Sequence, residues 1–264
     1  MRKHLLTATI VAVSFFASSF VYAATLVTQW EYNNSAVFTD FDQTAGVNDV
    51  RYEDSDRRLL WGSLVDTDEQ SFIQISPAVV GNNLVTGGAP QEVINVVHQN
   101  NSISAIYSTL TAAVITSTIE FSPFLPADLA DNFTFSSDIE FYFFETPNNS
   151  DTPNDIFVLK DPTATLGSFA YDGYIYSYQF SGLGFSDIGA TWGSEYADYI
   201  TDNLPGDATV GLPYIGWVTD EGFTNTAEFF VSITATAIPE PSTMLLLGAG
   251  LLGLGAAARR RRAN

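Results

Sequence analysis

Every second residue is aromatic in the run Tyr174, Tyr176, Tyr178, Phe180, which follows directly on Asp172-Gly173. Side chains two apart share a face only in an extended chain, so the run reads as a strand with one apolar face. Asp-Gly suits a two-residue hairpin turn, whose central positions take positive φ. Phe169 and Tyr171 carry the alternation into the turn from the other side, and the stretch predicts a β-hairpin. A chain committed to such a hairpin must find another apolar layer to cover it.

Period two recurs elsewhere. Thr28, Trp30 and Tyr32 stand at strand spacing, and a short run at 59–61 stops at Gly62. Residues 111–121 close on Ile119, Glu120, Phe121; Phe133 with Phe135, then Ile139, Phe141 and Phe143, line further strand faces. A last strand over 228–237 puts Phe229, Val231 and Ile233 on one side. Helical signals are confined to a turn at 126–130 and the stretch 193–200. Aromatic and β-branched enrichment favours strands. Many short strands between Gly, Asn, Asp and Pro turns imply one all-β domain over 24–237, an antiparallel β-sandwich or a jelly roll. No internal repeat of fixed period is present. Trp30, Trp61 and Trp217 are expected in the core, the default for aromatics at strand spacing. Trp192, beside Gly193 in an expected loop, is the best candidate for an exposed platform that stacks on a sugar ring.

Neither end belongs to that domain. Residues 1–23 carry Arg2 and Lys3, then an apolar stretch, then Val21, Tyr22, Ala23, which is the pattern of a secretory signal peptide cut between Ala23 and Ala24. Residues 238–264 have three parts in order: Pro239, Glu240 and Pro241; an uncharged run over 244–258; and Arg259, Arg260, Arg261 and Arg262. The two prolines hold the triplet extended. The apolar run is shorter than the roughly 20 residues that span a bilayer comfortably, so it reads as a weak, temporary single transmembrane helix. The arginines stay on the cytoplasmic side and leave the body outside.

Six of the ten Lys and Arg lie in these two ends, and only one of the 30 acidic residues does. The body therefore has four basic side chains, Arg51, Arg57, Arg58 and Lys160, against 29 acidic ones, and a net charge near −25. Nucleic acid is excluded as a partner, because phosphate contacts require Lys and Arg. Solubility outside the cell accounts for the charge without any partner. The chain has no cysteine, which excludes thiol catalysis and Cys-type metal sites.

The tail resembles the PEP-CTERM sorting signal of Gram-negative bacteria in all three parts. That resemblance implies recognition by an exosortase, a membrane enzyme that cuts near the triplet and passes the protein to the cell surface or extracellular matrix; an ordinary C-terminal membrane anchor is the alternative. A second resemblance lies in the body. Val97-His98-Gln99-Asn100-Asn101 is similar to the motif of the THxN family of PEP-CTERM proteins, with Val97 in place of the family's threonine. Trp61-Gly62, Glu145-Thr146-Pro147-Asn148 and the DIFVL run from Asp155 extend the likeness. This resemblance implies a class of protein and no reaction.

No residue set carries catalysis convincingly. His98 is the one histidine outside the signal peptide and is expected to bond across a loop, with Asn100 and Asn101 bonding to nearby backbone. Gly184-Phe185-Ser186 lacks the second glycine of a nucleophile elbow. Carboxylates are too abundant for any glycosidase pair to be singled out. Asp54 with Asp56, and Asp66 with Asp68, are D-x-D units that could ligate a structural calcium, as could Asp40 with Asp42 and, before DIFVL, Asp151 and Asp155; none continues as an EF-hand. The expectation is an exported, non-enzymatic surface or matrix protein, structural or adhesive, with no cofactor. Its partners are signal peptidase, an exosortase, the inner membrane transiently, and exopolysaccharide or other matrix components. The rival readings are a secreted glycan-binding module and a carboxylate-based polysaccharide hydrolase.

Overall fold

The computed structural model describes residues 24–66, 70–146, 154–161, 166–206, 210–239, 248–255 and 258–259. The strands of the body are β1 (Gln29–Gln43), β2 (Arg51–Glu53), β3 (Arg58–Gly62), β4 (Gln70–Ile75), β5 (Val79–Val85), β6 (Gln91–Gln99), β7 (Leu110–Leu125), β8 (Phe133–Phe144), β9 (Asp155–Leu159), β10 (Leu166–Tyr171), β11 (Tyr174–Leu183), β12 (Ser186–Asp187), β13 (Ile215–Thr219) and β14 (Thr224–Ala237). Two short helices, α1 (Ile188–Trp192) and α2 (Ser194–Asn203), lie between β12 and β13. The strands form two sheets of seven, ordered β12-β13-β9-β8-β7-β1-β5 and β10-β11-β14-β6-β4-β3-β2. Every ladder between named strands is antiparallel. One apolar core draws on both sheets, an arrangement compatible with a sandwich.

The alternation builds that core. In β1, Trp30, Tyr32, Ala36 and Phe38 turn inward while their neighbours face solvent. Trp30 sits edge-on to Tyr176 at 4.9 Å and to Phe169 at 5.6 Å, rings of the opposite sheet, and to Phe121 of its own sheet at 6.3 Å. Phe133 stacks on Phe169 at 4.5 Å, closing an aromatic pile across the two layers. The expected hairpin is β10–β11, with Asp172 at φ 39° and Gly173 at φ 81°. Tyr176 and Tyr178 point from it into the core.

β9 explains itself differently. All five residues of its DIFVL sequence are buried: Phe157 and Leu159 enter the inter-sheet core, while Ile156 and Val158 pack under Ile188, Tyr196 and Ile200 of the helices. Covered on both faces, the strand needs no polar alternation.

Several expectations change in detail. Residues 126–130 hold the expected turn, and the 193–200 signal is α2, running on to Asn203. The helix α1 was not expected; Asp187 starts it by accepting a hydrogen bond from the Ala190 N–H at 3.1 Å. Trp192 therefore ends a helix and is half-buried against both apolar clusters, not displayed on a loop. The last strand begins at Thr224, because pairing with β6 continues as far as Gln99.

Candidate functional site

The inward alternation of β6 runs through Val96 to His98, so the strand's last core-facing residue is a histidine. At that end of the sandwich, β3 ends on Trp61-Gly62, β8 ends on Phe144 and β9 begins on Asp155. The His98 ring stacks nearly parallel to Trp61 at 6.0 Å and meets Phe143 edge-on at 5.0 Å. His98 Nε2 lies 3.9 Å from Asp155 Oδ2, beyond hydrogen-bond reach. Asp155 Oδ1 accepts from the Thr146 N–H at 3.1 Å, and Glu145 Oε2 accepts from Trp61 Nε1–H at 3.0 Å. The ends of β3, β8 and β9 thus meet around the one imidazole at the end of β6.

The asparagines close the cluster from the loop side. Asn100 Nδ2 donates to the Thr219 carbonyl at 2.9 Å, its N–H donates to the Phe223 carbonyl at 3.0 Å, and its own carbonyl accepts from the Gly222 N–H at 2.9 Å. That pins the turn carrying Glu221 between β13 and β14. Asn101 Nδ2 donates to the Gln70 carbonyl at 2.7 Å, and its N–H donates to Ser71 Oγ at 2.9 Å. The expected backbone bonding of Asn100 and Asn101 is present; the expected bond from His98 is not. Neither ring nitrogen of His98 has a hydrogen-bond partner among the described residues. The reason is geometric, since aromatic faces and edges surround the ring.

Burial sets the electrostatics. It pushes the His98 imidazole down to about 3, so the ring is neutral. Burial likewise raises Glu145 to about 7, with the Trp61 N–H pulling the other way and the Glu221 charge adding to the rise. Asp155 is raised well above its ordinary value, first by burial and then by the neighbouring Glu145 charge. With the imidazole neutral, the His98–Asp155 approach at 3.9 Å is not an ion pair. Such a cluster braces the end of the sandwich, because its members come from both sheets and two connections. His98 and Asp155 are each only 1 % exposed.

Among the described residues the calcium candidates do not come together. Asp54, Ser55 and Asp56 occupy a tight turn with φ of 53°, 55° and 64°, and Arg57 Nη2 pairs with the Asp54 carboxylate at 2.8 Å. Asp40 and Asp42 line a shallow depression that also holds Glu140 and Lys160. The Asp66 N–H donates to Ser63 Oγ at 3.0 Å; Asp68 and Asp151 lie outside the described residues. Among the described residues no group of three or more His, Asp or Glu is placed to hold a metal ion. Glu221, which the sequence reading did not single out, enters the His98 cluster electrostatically. Nothing distinguishes it from 28 other acidic residues until the turn is folded.

Both ends of the body leave at the Asp172-Gly173 turn. The Thr25 N–H donates to Asp172 Oδ2 at 2.9 Å, the Val27 N–H to the Tyr176 hydroxyl at 2.8 Å, and the Ile238 N–H to the Gly173 carbonyl at 2.8 Å. Pro239 follows, exposed. Ala24 is the first described residue; the signal stretch with Ala23, and Glu240, Pro241, Arg260, Arg261 and Arg262, lie outside the described residues. Residues 248–255 are helical and exposed, as is Arg259 in a helical pair at 258–259. Among the described residues no helix is long and apolar enough to cross a membrane.

Residues 237–262 match the family described as the PEP-CTERM protein-sorting motif. The match begins at Ala237, the last residue of β14. This motif supports exosortase-dependent sorting to the cell surface, and hence export. No curated protein matches the chain.

Proposed function

We propose that the chain is a surface or extracellular-matrix protein with a structural or adhesive body, delivered by a signal peptide and held temporarily by its C-terminal apolar run until an exosortase cuts near Pro239, Glu240 and Pro241. The observation that carries this reading is the sorting motif starting where β14 stops. The body acts without catalysis or cofactor in this reading. Its one body histidine is neutral and enclosed, and burial shifts the acidic groups nearest to it upward. The THxN assignment is part of the same proposal, supported by the meeting of the Trp61, His98, Glu145 and Asp155 segments. Intact mass of the protein recovered from cell surface and medium tests the sorting step, with and without the exosortase. A chain ending near Pro239 to Pro241 only when the enzyme is present is the expected result. A tail complete to Asn264 in both strains would overturn it.

One cleft favours the glycan-binding reading as a second choice. About 270 Å³ opens between the sheets, with Phe180, Phe185 and Phe229 inside and Asp138, Gln179 and Asp161 among its polar lining. An apolar surface edged by hydrogen-bonding groups suits a sugar ring. If a saccharide sits there, calorimetric titration with fragments of the cell's own exopolysaccharide gives an affinity that Asp138→Ala weakens about tenfold, the effect of one lost hydrogen bond. Absence of binding by the unaltered protein would dismiss this reading.

A further inference from the structure

We propose that, while its tail is uncut, the sandwich stands on the lipid surface on its hairpin end, with Leu26, Val85, Phe124, Leu125 and Ile238 in the interface. This rests on the reading of the tail as a temporary membrane span. Among the described residues Ile238 makes the last hydrogen bond to the body, and the apolar run starts at Met244. Pro239 to Met244 can extend over at most about 18 Å. The sandwich is far longer than that tether. The 16 residues of β7 alone reach about 50 Å. A body standing upright on the membrane can therefore stand only on the end that holds Gly173.

That end is apolar in the right places. Leu26, Val85, Phe124, Leu125 and Ile238 are each 36–45 % exposed. The ladders bring them together: Gln29 pairs with both Val85 and Leu125, Thr28 donates to the Leu125 carbonyl, and Ile238 is bound to Gly173 beside Thr25 and Asp172. Exposure alone does not select this end, because Val47, Leu64, Val65, Ile106 and Phe223 are exposed elsewhere, largely at the opposite end. The length of the connection does. The N-terminal segment leaves by the same turn, so a precursor still carrying both end segments can fold its body without drawing either across the sandwich. Asp128 and Asp131, in the connection from β7 to β8, and Asp172 stand at the same end, and the body is near −25, so the contact is with acyl chains and neutral headgroups rather than anionic ones.

The absence of cysteine makes the test direct. Full-length chain from a strain lacking the exosortase, carrying Phe124→Cys or Val65→Cys with a polarity-sensitive fluorophore, is reconstituted into phosphatidylcholine vesicles containing brominated lipid. The chain should float with the vesicles, with the label at 124 blue-shifted and quenched severalfold more than the label at 65. Flotation with equal quenching at the two positions, or stronger quenching at 65, overturns the docking while leaving the membrane tether standing. A chain that does not float overturns the tether and the docking with it.

Discussion

Trp30→Ala is expected to destabilise the body by about 3–5 kcal/mol, the range for removing a large buried aromatic side chain. Trp30 is fully buried, and its ring is the meeting point of Phe121, Phe133, Phe169, Tyr171 and Tyr176 across the two sheets. Its Nε1–H also donates to Thr86 Oγ1 at 3.0 Å. Thr86 keeps its own bond to the Val27 carbonyl, so the loss is one of packing and not of an orphaned hydroxyl. Rings held on several sides by other rings cannot collapse into the gap, which places the effect at the upper part of that range. A domain of ordinary stability, about 5–15 kcal/mol, would lose a large share of it. Trp192→Ala removes a half-buried ring at the edge of two clusters and should cost about 1–2 kcal/mol. Urea denaturation of both variants separates the cases. Equal midpoints would mean that the aromatic pile does not carry the sandwich.

The second large effect is a dependence on pH located at Glu145. Its folded-state pKa, about 7, lies above the ordinary 4.5, so the folded form holds a proton that the unfolded form releases. Stability from this group is fully present below pH 4.5 and is lost as pH rises through about 7; over that interval the loss amounts to about 3 kcal/mol. Asp155, also raised, acts in the same direction. His98 acts oppositely: held down to about 3 in the folded protein, it takes a proton more readily when unfolded and lowers stability as pH falls below 6.5. Glu145→Gln keeps an acceptor for Trp61 and removes the titration. The difference in unfolding free energy, wild type minus variant, should therefore fall by about 3 kcal/mol between pH 4.5 and 7.5. The many surface carboxylates cancel in that difference. Parallel stability curves over this range would refute the buried, proton-holding state of Glu145.

Elements set by local pattern were readable from the chain alone. Alternation in β1, β8 and β11 marks the faces that became the core, because side-chain direction in an extended chain repeats every two residues whatever the partner strand. Asp172-Gly173 marks its turn because positive φ is a property of the residues themselves. The tail is legible for the same reason: prolines, an uncharged run and four arginines act through composition and order. What the alternation did not reveal is equally specific. Trp192 looked like a loop residue because Gly193 follows it, yet a helix of five residues capped by Asp187 draws it half inside. The DIFVL run shows no period, and only the helices on its outer face explain why.

The meeting at His98 belongs wholly to the tertiary structure. Trp61 and Glu145 are 84 residues apart, and Asn100 and Thr219 are 119 apart. Strand order decides such distances, and no window of sequence contains it. The charge states follow from the same cause. His98, Glu145 and Asp155 would titrate ordinarily in water; the folded interior removes that water and shifts the imidazole down and the carboxyls up. Sequence alone thus determined the strands with clean alternation, the main turn and the sorting address, through properties carried by neighbouring residues. Only the tertiary structure decided which residues share the buried cluster and that both ends of the body, Thr25 and Ile238, meet at one turn, because those depend on pairing between strands distant in the chain.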